Sequence, residues 1–184
     1  LDYAINSTLA FSNVALKKND KTGMISFSKK IETFLPAIQK LTYLNTILEK
    51  LYNITTAFTD SDFGLLYAHI KRKVNHRSLL LFYTNFEHIS ALRRQLPFLT
   101  AIAKKHVLVV IFFENTELED LIASDAEDLQ SIYHKTIAEK FSLEKRLMQK
   151  ELQQYGIQTI LTRPENLTIN TINKYLEIKA RGIL

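Results

Sequence analysis

Val107 to Phe113, the run Val-Leu-Val-Val-Ile-Phe-Phe, narrows the possible folds of this chain more than any other segment. Seven consecutive apolar residues, mostly β-branched or aromatic, leave no face for water. Such a run is stable as a strand buried on both sides, the position of a central strand in a parallel sheet covered by helices. His106 is its polar entry. Ser78 to Tyr83 and Ile157 to Thr162 have the same character, and stretches of helical periodicity separate the three. Parallel strands need crossovers of a dozen or more residues, and helices supply them. The expectation is an α/β fold, a doubly wound, mostly parallel sheet.

The flanking segments fit this scheme. Leu1 to Asn19 carries Ile5, Leu9 and Leu16 at helical spacing. Thr22 to Ser28 reads as a short buried strand, and Lys29 to Phe34 as an antiparallel edge strand ended by Pro36. Tyr43 to Ile54 is helical, and Ser61 or Asp62 caps a helix that runs to about Val74. Ser90 to Lys105 is a helix interrupted or bent at Pro97. Glu117 to Tyr155 is mostly helical, with Leu129, Ile132, Tyr133, Ile137, Leu143, Leu147 and Leu152 as its expected buried stripe. Gly156 stops it, and Thr168 caps a last helix that ends at Gly182. With 184 residues, 46% of them apolar, and no repeat or long linker, residues 1–184 are expected to form one domain.

Composition removes several functional classes. There is no Cys, which excludes disulfides, thiolate metal sites and cysteine nucleophiles. Four isolated glycines build neither a dinucleotide fingerprint nor a phosphate-binding loop. The five His residues share no metal-ligand spacing. No apolar run approaches the roughly 20 residues of a membrane span, and neither a membrane helix nor a signal peptide is expected, so cytoplasmic placement is expected. The net charge of +5 is scattered. Its one cluster, Lys71, Arg72, Lys73, His76 and Arg77, falls at a predicted helix end, where cations suit the dipole, so no nucleic-acid partner is expected. Acids concentrate instead at Glu114, Glu117, Glu119, Asp120, Asp125, Glu127 and Asp128, predicting an acidic patch.

In open parallel sheets, ligands bind beyond the carboxyl ends of the strands. The positions to inspect are therefore Ser26 and Ser28, Thr84-Asn85-Phe86-Glu87, Glu114-Asn115-Thr116, Thr162-Arg163, and the loop Thr59 to Asp62. Their hydroxyls, amides and carboxylates are hard ligands of the kind Mg²⁺ accepts. The alternative for Ser61 and Asp62 is an ordinary helix cap, and for Thr84-Asn85 a hydrogen-bonded strand end.

Four stretches, LDYAINSTLAFSNVALKKNDKTGMISFS, SDFGLLYAHIKRK, RSLLLFYTNFE and IAKKHVLVVIFFENTEL, stand in a telling order and spacing. Together they resemble the von Willebrand factor A-like domain of the bacterial family called domain of unknown function fifty-eight, over about residues 1 to 116 with a looser fit to Gly182. The resemblance implies a Rossmann-like sheet bearing a metal-ion-dependent adhesion site (MIDAS) or its remnant. There, a partner's carboxylate completes the coordination of Mg²⁺. It also implies a MoxR-type AAA+ ATPase as partner in protein assembly or activation.

Carried over by position, the second metal motif falls on Ser61-Asp62, with Thr59-Asp60 as another register. The third, usually Asp, falls on Asn85, where a neutral amide replaces a charged ligand. The first has no counterpart. In the family the strand bearing it lies mid-sheet, so the chain reads as a C-terminal fragment lacking its first central strand, with any membrane attachment upstream. The resulting expectation is a non-enzymatic protein-interaction domain with a degenerate site at Ser61, Asp62 and Asn85. Mg²⁺ is expected only in the complete protein, and Thr84, Glu114, Glu117 and Asp120 are expected to meet the partner. The alternative is a divalent-metal-dependent hydrolase or phosphoryl-transfer enzyme using Asp60, Asp62 and Glu114.

Overall fold

The computed structural model describes residues 1–54, 61–114 and 129–183. In chain order they form α1 (Asp2–Lys17), β1 (Thr22–Phe27), β2 (Ile31–Ile38), α2 (Tyr43–Tyr52), α3 (Phe63–Lys73), β3 (Leu79–Tyr83), α4 (Ile89–Ala103), β4 (Val107–Phe113), α5 (Leu129–Gln154), β5 (Gln158–Thr162), a 3₁₀ turn (Pro164–Asn166) and α6 (Leu167–Ala180). The chain divides into two compact units, Leu1–Ser78 with Leu167–Leu184, and Leu79–Asn166. The α/β class holds. The strands form two sheets, however, where the sequence suggested one: an antiparallel pair β1-β2 and a parallel trio in the order β3-β4-β5.

In the first unit the hairpin is held locally, because the three residues between β1 and β2 make antiparallel pairing immediate. Thr22 pairs with Ile38, Met24 with Leu35 and Ser26 with Thr33. The register shifts between Thr22 and Met24, where Pro36 and Ala37 stand opposite the single residue Gly23. This bulge lets the strand continue through Pro36, which the sequence reading had taken as its end. Proline has no N–H for the ladder, and a bulge is where a strand tolerates that. The Pro36 carbonyl accepts a hydrogen bond from the Tyr43 hydroxyl at 2.9 Å. Met24 then packs with Ile47 and Leu51 of α2, enclosed by Ile5, Leu9, Leu35, Tyr43 and Ile54.

The last helix closes this unit. Asn19 takes a left-handed φ of 60°, which Asn tolerates better than most residues, and so turns the chain out of α1 and sets Asp20. The hydroxyl of Tyr175, a residue 2% exposed, donates to Asp20 Oδ2. Lys179 Nζ, one helical turn further on, reaches the same oxygen at 2.6 Å. Phe11 of α1 meets the Tyr175 ring edge-on at 5.3 Å.

In the second unit β4 pairs on both edges. Val107 to Ile111 lie opposite Leu79 to Tyr83, and Val109 to Phe113 opposite Gln158 to Thr162. Val109, Val110, Ile111 and Phe112 are all at 0% exposure, as the two-sided apolar run requires. Each such side chain contributes roughly 1.5–3 kcal/mol through burial. One uninterrupted helix, α4, spans Pro97, which withdraws the N–H that would have reached the Arg93 carbonyl.

Helix α5 departs from the expected pattern. Its described part begins at Leu129, and the start of the predicted Glu117–Tyr155 segment lies outside the described residues. Ile132, Tyr133, Leu143 and Leu147 are exposed, Tyr133 at 65% and Leu143 at 57%. The covered face instead runs through Ala138, Phe141, Lys145, Met148 and Leu152, alternating steps of three and four. A helix with apolar residues on two sides leaves the phase of its buried stripe undetermined by sequence, and packing on β5 and α4 selects this one.

Two outcomes follow from the first unit. A Cβ added at Gly23 would lie 2.6 Å from the Leu35 carbonyl oxygen and 2.8 Å from the Ala37 nitrogen, both backbone atoms of the bulge. Gly23→Ala should therefore cost about 1–3 kcal/mol in urea unfolding, and an unchanged midpoint would contradict this packing.

The second outcome concerns pH. Burial pushes the Asp20 carboxyl up, but the hydrogen bonds from Lys179 and Tyr175 outweigh it and leave the value lowered from 3.8. The unfolded chain then binds the proton more readily, so this contribution is full above 3.8 and fades as pH falls through the lower folded value. Asp20→Asn should lose about 1 kcal/mol at neutral pH. The wild-type advantage should close on acidification, which unfolding of both proteins across that window would reveal.

Candidate functional site

The expected site residues fall in both units. In the first, Asp62 is the N-cap of α3: its Oδ1 accepts the Leu65 N–H at 2.9 Å. Its own N–H donates to the Ser28 carbonyl, also at 2.9 Å, tying the helix start to the turn between β1 and β2. Phe63, the first helical residue, meets Phe27 edge-on at 5.6 Å. Ser61 beside it is half-buried. Capping accounts for one carboxylate oxygen of Asp62, and this was the plain alternative in the sequence. Thr59 and Asp60 lie outside the described residues. The basic cluster from Lys71 to Arg77 is exposed at the end of α3, with Lys71 Nζ 5.9 Å from the Tyr67 ring centroid.

In the second unit the parallel register sets Thr84, Asn85 and Glu114 at the carboxyl ends of adjacent strands. The Thr84 N–H donates to the Ile111 carbonyl at 3.2 Å, and the Glu114 N–H to the Thr162 carbonyl at 3.0 Å, so the ladder extends past the last paired side chains. Next in the chain, Phe86 turns inward to 7% exposure and packs against Phe112 at 6.2 Å between ring centroids. That anchor leaves Asn85 and Glu87 on the outside of the loop. Glu117 and Asp120, with the rest of the acidic patch beyond Glu114, lie outside the described residues.

One residue organises this end of the sheet that the sequence reading did not single out. Lys145, on the covered face of α5, donates from Nζ to Asn85 Oδ1 at 2.5 Å and to the Phe86 carbonyl at 2.6 Å. Burial lowers its pKa, while Glu87 and Glu144 act in the opposite direction. Around it α5 makes further polar contacts. Glu144 lies 3.2 Å from His88 Nδ1, Phe141 stacks on the His88 ring at 5.9 Å, and Glu151 takes Arg93 Nε on both oxygens at 2.9 and 3.2 Å. The loop after β3 and the start of α4 are thus clamped by one helix. The sequence signal was present: in the series 138, 141, 145, 148, 152, Lys145 is the one charged member.

These contacts fit poorly with a divalent ion at Asn85. An ion ligated by Asn85 Oδ1 at about 2.0–2.1 Å could lie no further than about 4.6 Å from Nζ, which is 2.5 Å from the same oxygen. Two unit charges about 4 Å apart interact by about 4 kcal/mol at the effective dielectric of a protein surface, and a divalent ion doubles that repulsion to about 8. Among the described residues, no three His, Asp or Glu side chains gather closely enough to hold a metal ion. No described helix is long and apolar enough to cross a membrane.

The burial of Lys145 has a measurable consequence. Because its folded value is lowered from 10.5, the unfolded chain holds the proton more tightly, and stability rises with pH in the window just below 10.5. Lys145→Met removes this term. The stability of wild type relative to the variant should therefore increase as pH is raised through that window, and a flat difference in denaturant midpoints would contradict the buried ammonium.

No protein-family model, curated protein or solved structure matches the chain.

Proposed function

We propose that this chain is a non-enzymatic protein-interaction domain of the von Willebrand factor A-like kind, using the carboxyl end of the β3-β4-β5 sheet as its recognition surface. The observation that carries the reading is the layout of that end. Polar residues from neighbouring parallel strands, Thr84, Asn85 and Glu114, sit where an open α/β sheet receives its ligands. Asn85 is already bound by a cation belonging to the chain itself. A surface held in shape by Lys145 and by the Phe86–Phe112 anchor is preorganised, which lowers the cost of binding.

The partner we propose, on the sequence resemblance, is a MoxR-type AAA+ ATPase engaged in assembling or activating other proteins. Glu117 and Asp120, outside the described residues, are proposed as partner contacts on the sequence reading alone. Within the recognition surface the degenerate third motif of the adhesion site is read at Asn85, and the working location as the cytoplasm. The metal-dependent hydrolase reading has less support, because Asp62 is engaged in capping α3.

Titration calorimetry of the full chain against a purified MoxR-type ATPase from the same organism tests this reading. Binding is expected, and Thr84→Arg and Glu114→Arg should each weaken it by at least about tenfold, or about 1.4 kcal/mol. Absence of binding, or equal affinity of both folded variants, would overturn it.

A further inference from the structure

Lys145 is an unusual choice for its position. The other members of the α5 face, Ala138, Phe141, Met148 and Leu152, cover apolar surface, and an ammonium among them loses hydration. It recovers that loss by donating to two oxygens of one loop, Asn85 Oδ1 and the Phe86 carbonyl, neither of which has a proton to give. Two negative side chains, Glu87 and Glu144, are close enough to favour its charged form. Oxygen ligands from a side-chain amide and a backbone carbonyl, flanked by carboxylates at the carboxyl end of a parallel strand, are the surroundings a hard cation would take. Here a side chain of the chain itself holds them.

We propose that the Lys145 ammonium is the resident cation of this site: it takes the place a divalent ion would hold at Asn85, so the loop keeps its binding shape without Mg²⁺ or Mn²⁺. The inference rests on the reading of this sheet end as a recognition surface and adds how that surface is controlled. Recognition is independent of divalent cations and tied to the covalent chain. A neutral residue at position 85 is compatible with it. An amide oxygen accepts from the ammonium, and an acid here would strengthen a pair with Lys145 where metal-site chemistry would recruit an ion.

The deciding experiment uses the full chain, with Mn²⁺ alone as probe, and contains no partner, so its failure is separable from failure of the proposed function. Thermal unfolding is followed for wild type, Asn85→Asp, Lys145→Met and Asn85→Asp/Lys145→Met, each without and with about 10 mM MnCl₂. Neither wild type nor Asn85→Asp should change its own unfolding temperature when Mn²⁺ is added. Asn85→Asp alone should raise the midpoint by about 2–4 °C, and this gain should vanish in the Lys145→Met background. Electron paramagnetic resonance titration of Mn²⁺ into wild type and Asn85→Asp gives a second readout that needs no change at Lys145 and should show no ion withdrawn from solution. A Mn²⁺-dependent rise in the midpoint of either protein, Mn²⁺ uptake by either, or a gain from Asn85→Asp that persists without Lys145 would each overturn the proposal.

Discussion

A strand without a polar face can leave water only if both of its backbone edges are hydrogen-bonded, because an unpaired buried N–H or C=O costs about as much as its side chains gain. That constraint governs β4. Its Val-Leu-Val-Val-Ile-Phe-Phe run is paired to β3 on one side and β5 on the other, and both partners run parallel to it. Parallel pairing requires a long return path on each side, so α4 and the segment containing α5 follow from the character of seven residues. The same geometry gathers Thr84, Asn85 and Glu114 at one end, since every strand of the trio finishes there. The site is a consequence of how β4 is buried.

What local chemistry decides was legible in the sequence. Asp62 caps α3 because its carboxylate reaches the Leu65 N–H, and Gly156 and Gly182 follow their helices with positive φ, where glycine pays no steric penalty. What non-local packing decides was not. Pro36 looks like a strand terminator until Gly23 stands opposite it, because only the missing Cβ lets two residues of β2 crowd against one of β1. The hairpin itself illustrates the limit. Apolar content marked Thr22 to Ser28 as a strand but carried no information that it would pair with β2 alone, in a sheet separate from the parallel trio.

Helix α5 shows the same limit in another form, and the candidate site depends on it. Ile132, Tyr133, Leu143 and Leu147 form as convincing an apolar series in the sequence as the residues that are covered. Choosing the wrong face hides Lys145, since a lysine on a solvent face needs no explanation. On the covered face it needs one, and two oxygens of the β3–α4 loop supply it. The sequence reading reached Asn85 through its place at the end of β3, but the side chain that engages it lies 60 residues away in the chain.

The two units stabilise their polar features by a common device with opposite polarity. In the first, the Asp20 carboxylate collects a tyrosine hydroxyl and the Lys179 ammonium on one oxygen, and these hydrogen bonds more than offset the burial that opposes its charge. In the second, the Lys145 ammonium collects two oxygens, yet burial still prevails and its value stays lowered. The difference lies in the partners. Asp20 is met by a full opposite charge in hydrogen-bond contact, whereas both hydrogen-bond acceptors of Lys145 are neutral and the charges of Glu87 and Glu144 act only from a distance. Neutral acceptors satisfy the geometry of an ammonium without neutralising it. The first arrangement fastens a helix. The second fixes a positive charge at the end of a sheet through two neutral oxygens, with its opposite charges held at a distance.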